Sequence, residues 1–232
     1  MNVEVCHLGR TRYGDTWELQ RQVFDFCLQG GADTLLLTEH EPVYTLGKGG
    51  DQNHLLASDE ELSNDGTEVF RIDRGGDITF HGPGQIVGYP ILNLQHHTPD
   101  IHKYLRDLEE VIIRTLVQFD ICGEREPELT GVWVKGEKIA ALGVKVSRWI
   151  TMHGFALNVN TDLRYFARII PCGIFHKGVT SMQQLLGRSV SMSEVEAELT
   201  ESFSAVFGCT PVAITPDALK DRLRLREQSD ER

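Results

Sequence analysis

Basic residues are scarce in this sequence. Against 34 Asp and Glu there are 23 Lys and Arg, giving a formal net charge of -11, and no long basic run interrupts the balance. A surface built to neutralise nucleic-acid phosphates or anionic lipid needs the opposite sign, so neither partner is expected. No apolar run approaches membrane-spanning length, and the opening MNVEVCHLGRTRYGD lacks a basic region followed by an apolar stretch and a small-residue cleavage site. The expectation is a soluble protein that is not exported. CxxC spacing is also missing. Cys6, Cys27, Cys122, Cys172 and Cys209 are odd in number and far apart, which argues against a disulfide framework or a structural zinc site and for reduced thiols in the cytoplasm. Repeats, low-complexity blocks and linkers are absent as well. A chain of 232 residues, 41% of them hydrophobic, is long enough for one core, so a single domain over 1–232 is expected, with about 218–232 as a flexible tail or a short solvated helix.

Strand and helix signals alternate along the chain. Within residues 13–29, Trp17, Val23, Phe24, Cys27 and Leu28 fall on one helical stripe. TLLLTEH and PVYTLG read as short strands, followed by a GKGGDQN loop; EVFRID, DITF and QIVGYPILNL have strand composition punctuated by glycine pairs and an HGPG turn. Thr98, Pro99 and Asp100 predict a helix start capped by Thr98, running through Tyr104, Leu108, Ile112 and Leu116 to about Phe119. GVWV, KIAALGVKV and MHGFALNV are joined by connections short enough for antiparallel hairpins only. Thr161 is expected to cap a short helix toward Ile169. Ser191 and Glu194 form an S-x-x-E capping box before Val195, Leu199, Phe203 and Val206, and Gly208 stops that helix. The fold class that follows is mixed α/β or α+β.

Three segments carry chemistry. In Arg74-Gly75-Gly76-Asp77-Ile78-Thr79-Phe80-His81, continued by Gly-Pro-Gly-Gln, glycines let backbone approach a ligand while Arg74, Thr79 and His81 add polar groups. The loop is not a P-loop, since the Gly-Lys-Ser/Thr ending is missing. The same residues also satisfy a plainer reading, tight turns with a packed histidine. In the second segment, Lys138-Ile-Ala-Ala141-Leu142-Gly143 is followed after a hairpin by His153-Gly154-Phe155-Ala156-Leu157-Asn158, and small strand residues leave room for a ligand chain. Lys138 at its start reads equally as an outward strand residue, and His153 as a hydrogen-bonded strand histidine. The third segment is Pro171-Cys172-Gly173-Ile174. A cysteine between proline and glycine sits on a constrained turn that can project its sulfur into a cleft, although free cysteines commonly pack as small buried hydrophobes.

Together, EHEPVYTLG at 39–47, RGGDITFHGPGQIVGYPILNL at 74–94, KIAALGVKVSRWITMHGFALNVNTDL at 138–163 and PCGI at 171–174 resemble the LipB family, the octanoyl-acyl-carrier-protein:protein N-octanoyltransferases. Order and spacing match over most of the chain; Glu41, where many relatives have another residue, is a small departure. The resemblance implies a biotin/lipoate protein ligase-like fold, of the class II aminoacyl-tRNA synthetase type, with a mixed sheet flanked by helices. It implies a catalytic pair at Cys172 and Lys138, and substrate contacts at Arg74 through His81, Ala141 through Gly143 and Gly154 through Ala156. The implied donor is octanoyl-acyl carrier protein. The implied acceptors are lipoyl domains of 2-oxoacid dehydrogenases and the glycine cleavage H protein, with no cofactor and no metal. Because carriers and lipoyl domains are themselves acidic, a local basic rim is expected, drawn from Arg74, Lys145, Arg148 and Lys48.

Other functions fit parts of this pattern. An ATP-dependent lipoate protein ligase would share the fold but needs a nucleotide and magnesium site in place of the cysteine. A non-catalytic protein that binds lipoyl domains or acyl chains would keep the pocket without needing Cys172 or Lys138. A cysteine hydrolase would need an Asp or Asn partner for a Cys/His arrangement.

Overall fold

Strand β2 (Thr34–His40) shows how the core is organised: Leu35 and Leu37 point to one side, Leu36 to the other, and all three are fully buried. Such a strand needs cover on both faces. The computed structural model, which describes residues 1–170 and 178–230 with the side chains of 227–230 excepted, supplies it. Eight strands form one sheet in the order β11-β1-β2-β6-β10-β9-β8-β7. They are β1 (Asn2–Thr11), β2, β6 (Gln85–Ile91), β7 (Glu124–Glu126), β8 (Leu129–Val134), β9 (Glu137–Ser147), β10 (Ile150–Asn158) and β11 (Thr210–Ala213). β1 runs parallel to β2 and β11, and the remaining pairs are antiparallel. The sheet is therefore mixed, as expected.

Helices α3 (Ile101–Val117) and α5 (Met192–Phe207) close one face, burying Leu108, Ile112, Leu116, Leu199 and Phe203. Helix α1 (Tyr13–Leu28) closes the other through Leu19, Val23, Phe24 and Cys27. The C-terminal stretch is helical, α6 (Pro216–Asp230), and its Leu219 and Leu223 are buried in the cluster that α1 forms. Its charges fall outside that two-residue stripe, which is why it read as solvated. A small second sheet, β3 (Val43–Leu46) between β4 (Glu68–Arg71) and β5 (Ile78–His81), packs beside the main one. Among the described residues, no helix is long and apolar enough to cross a membrane.

Helix ends depart from expectation where two capping residues compete. Asp100, not Thr98, caps α3, because its carboxylate accepts from the amides of both His102 and Lys103. Asp162, not Thr161, caps the 3-10 turn Leu163–Arg168, while the Thr161 hydroxyl donates to Gly84 O. Ser191 caps α5 through the Glu194 amide, and Gly208 ends it in the left-handed region, as read. The complete reciprocal box lies instead at Ser58 and Glu61, ahead of α2 (Asp59–Asp65).

Candidate active site

Two glycine runs fasten to each other beside the main sheet. The amides of Gly47, Lys48 and Gly49 donate to the carbonyls of Asp77, Arg74 and Gly76, at 3.0–3.2 Å. A Cβ on Gly47 would stand 2.5 Å from Gly76 O, so only glycine permits this approach. From the other side the Gly75 amide donates to Val144 O at 2.9 Å, tying the loop to β9. Arg74 is buried here, its Nη2 donating to Thr45 O at 2.6 Å and to Thr45 Oγ1 at 3.0 Å. Lys145 forms an ion pair with Asp73. Of the residues expected to form a basic rim, Arg74 is buried, Lys145 is half-exposed in its pair with Asp73, and Arg148 and Lys48 are exposed.

Between this loop and the sheet lies a cavity of about 530 Å³. It takes walls from both faces of β9, because β8 pairs only with Glu137, Lys138 and Ala140 and leaves the rest of that edge without an outer strand. The β8–β9 register skips Ile139, a bulge of the kind that re-aims a neighbouring side chain. Lys138 beside it is half-buried in the cavity wall, with Nζ 4.7 Å from the centre of the Trp133 ring. An ammonium over an indole face is attracted by the ring quadrupole. The Lys138 amide donates to Gly178 O at 2.9 Å, and its carbonyl accepts from Thr180 N at 3.0 Å. Gly178 stands six positions after Cys172 in the sequence. Cys172 itself lies outside the described residues.

Arg74, Gly75, Gly76, Asp77, Ile78, Thr79 and His81 line this cavity, as do Ala141, Leu142, Gly143, Gly154, Phe155 and Ala156. Phe80 does not. Its ring stacks on Tyr165 at 4.4 Å in a small core with Tyr44 and Leu46, so the expectation for this residue is corrected. Gln85 and Asn158, at the ends of the segments singled out in the sequence, line the cavity too; sequence reasoning missed Val87 and Tyr89, which continue the Gln85 face of β6 at every second position, and it missed Tyr13 and Trp133.

Two buried histidines are neutral rings, His81 in the cavity wall and His40 behind it against His81 and Tyr89. His40 Nδ1 donates to Thr11 O at 3.3 Å, and the Tyr89 hydroxyl donates to its Nε2 at 2.7 Å. His81 Nδ1 donates to Gln85 Oε1 at 2.8 Å; Gln85 Nε2 donates to Asn158 Oδ1 at 2.9 Å, and Asn158 Nδ2 to Thr180 O at 3.1 Å. Burial pushes His40 down to about 4, and burial followed by repulsion from His40 pushes His81 down to about 3. The unfolded chain takes up these protons near pH 6.5, so the folded state loses stability as pH falls below that value. The expected loss is about 1.4 kcal/mol per pH unit for each histidine between pH 6 and pH 4. Urea unfolding at pH 7, 6 and 5 checks this, and His81→Gln should flatten the slope. Equal stability at all three values would refute the neutral pair.

His153 is the third buried ring. It occupies the middle of β10 with φ 59, a left-handed backbone that costs a non-glycine residue roughly 1–2 kcal/mol. Its amide donates to Gln20 Oε1 of α1 at 3.1 Å. Its Nε2 donates to Asp73 Oδ1 at 2.8 Å, and that bond, with the Lys145 ammonium, holds the Asp73 carboxyl well below the usual carboxylate range.

The family model for the lipoyl protein ligase A/B catalytic domain matches residues 12–204. An octanoyltransferase of Rubrobacter xylanophilus is 54% identical over 203 residues, covering 86% of this chain and 91% of that one. An octanoyltransferase of Caldicellulosiruptor saccharolyticus is 43% identical over 235 residues, covering 100% of both. The crystal structure of lipoate-protein ligase A bound with ATP shares the fold, with a TM-score of 0.75 at 17% identity, covering 100% of this chain and 96% of that one.

Proposed function

Because this chain belongs to the lipoyl protein ligase A/B catalytic family and is an octanoyltransferase of protein lipoylation, we propose that it takes its acyl group from octanoyl-acyl carrier protein and holds it as a thioester on Cys172. The single domain 1–232 works in the cytoplasm on lipoyl domains, those of 2-oxoacid dehydrogenases and the glycine cleavage H protein. The observation that supports this reading is the half-buried Lys138 in the wall of an acyl-sized cavity, with its backbone paired to Gly178, six positions after Cys172 in the sequence.

An ordinary thiol ionises near pH 8.5, and an adjacent ammonium favours the thiolate. The Cys172 thiolate attacks the carrier thioester, the carbonyl carbon leaves the carrier sulfur, and the carrier thiolate takes a proton from the Lys138 ammonium, leaving a neutral amine. The lipoyl lysine amine then attacks the acyl-enzyme. Its carbon–nitrogen bond replaces the carbon–sulfur bond to Cys172, and Lys138 accepts the amine proton and returns one to the sulfur. One thioester is exchanged for another of similar energy, so no nucleotide is consumed. Arg74, residues 75–79, His81 and the small residues Ala141, Gly143, Gly154 and Ala156 enclose the chain.

Intact-mass measurement of the protein mixed with octanoyl-acyl carrier protein, without ATP, tests donor and nucleophile together. A mass gain of one octanoyl group, localised to Cys172 and discharged by a lipoyl domain, is the expected result. Transfer that occurs only with free octanoate and ATP would replace this reading with a ligase.

A further inference from the structure

The distal wall of the cavity carries a polar atom that nothing in the proposed mechanism uses. His153 is 1% exposed and lines the cavity, and among the described residues its Nδ1 has no hydrogen-bond partner. The tautomer is fixed. Asp73 is a carboxylate that can only accept, so Nε2 carries the proton and Nδ1 presents a bare lone pair. The left-handed backbone at His153, supported by Gln20, keeps the ring in this place at a conformational cost, and strain of this kind gathers at ligand-binding positions.

Its position along the sheet gives it a specific neighbour. His153 pairs with Val144 across the β9–β10 ladder, and Lys138, six residues before Val144 on β9, lines the same cavity. Ala141 and Val144 are three strand residues apart, roughly 10 Å, the length of an extended eight-carbon chain. An acyl group whose carbonyl lies level with Ala141 and which runs along β9 in this direction reaches the level of His153.

We propose that His153 is the polar end-stop of the acyl tunnel and determines specificity there: Nδ1 accepts a hydrogen bond from an acyl chain bearing a hydroxyl on its distal carbon, so 8-hydroxyoctanoyl is a substrate class of this site. The inference rests on the acyl-transfer reading above. In an all-apolar tunnel a terminal hydroxyl would be stranded without a partner and discriminated against roughly tenfold or more.

Nonanoyl has the same number of heavy atoms as 8-hydroxyoctanoyl, a methyl replacing the hydroxyl, so the pair isolates the hydrogen bond. Acyl carrier protein loaded with octanoyl, nonanoyl, decanoyl or 8-hydroxyoctanoyl is offered to the full chain with a lipoyl domain as acceptor. For the unaltered protein, kcat/KM for 8-hydroxyoctanoyl should equal or exceed that for nonanoyl. His153→Gly suits the left-handed backbone and removes the stop, so the decanoyl-to-octanoyl ratio should rise by about tenfold. A nonanoyl preference of tenfold or more in the unaltered protein overturns the proposal, and so does a folded His153→Gly protein with unchanged chain-length ratios. Failure to transfer octanoyl at all would instead overturn the acyl-transfer reading, which keeps the two failures apart.

Discussion

Cys172→Ser protein folds normally and forms neither acyl-enzyme nor amide, with turnover reduced on the order of 10³-fold or more. The hydroxyl of serine ionises far above the range in which one ammonium can activate it, whereas a thiol near pH 8.5 needs only modest help. The other cysteines provide the comparison. Burial pushes Cys6 up to about 11 and Cys27 up to about 12, and it raises Cys209 as well, so these remain thiols at neutral pH. Cys27 in addition donates its S–H to Asp33, a packing role between α1 and β2. Replacing any of the three by alanine should lower stability and leave acyl-enzyme formation in place. Intact mass after mixing with octanoyl carrier protein, read beside circular dichroism, decides the matter: a folded Cys172→Ser protein that still turns over would end the covalent mechanism.

Lys138→Ala carries the second large effect, slowing both acyl steps by roughly 10²–10⁴-fold while shifting thiol alkylation to higher pH. Alanine removes the charge that favours the thiolate and the amine that moves protons. Lys138→Arg separates these contributions. Its guanidinium can also stack on Trp133, so part of the alkylation profile survives, but it does not release a proton near neutral pH and deacylation by the lipoyl lysine stays slow. Iodoacetamide reactivity against pH, measured alongside the separate rates of acyl-enzyme formation and breakdown, distinguishes them. If alkylation and both rates are unchanged in folded Lys138→Ala, Lys138 is a strand residue and another group activates Cys172.

Elements with a strong internal period were legible in the sequence. The three-and-four spacing of α1 and α3, and the hairpins joining β8, β9 and β10, all appear where their patterns lie. What escaped depends on partners distant in sequence. β7, with the residues ERE, has no strand signature of its own. It is held by Arg125 against Glu109, a buried carboxylate of α3 that also accepts from Arg106 and the Gly131 amide. The cavity motif was legible as a contiguous string, but contiguity misled at Phe80, which turns its ring into the core beneath the loop. Lys138 shows the same limit from the opposite side. Strand alternation reads it as solvated, and only the bulge at Ile139 and the Trp133 ring explain its half-buried place. The left-handed backbone at His153 has only a weak sequence signal: histidine is enriched at positive φ, but such residues are uncommon and the strand pattern around it gives no further sign.

The paired glycine runs have a kinetic consequence. The cavity wall at 74–77 is fastened to 47–49 by three main-chain amides, and to β9 by one more. Side-chain replacement elsewhere in the loop leaves those bonds intact, and none of them opens without displacing the others. Residues 47–49 and Gly75 therefore form one unit of local opening. Their amide protons should exchange with solvent deuterium at a common, slow rate, well behind the exposed turn at Arg148 and Trp149. Such a wall would keep its shape between turnovers, with the entropy of ordering it already spent during folding instead of at each encounter with an acyl chain.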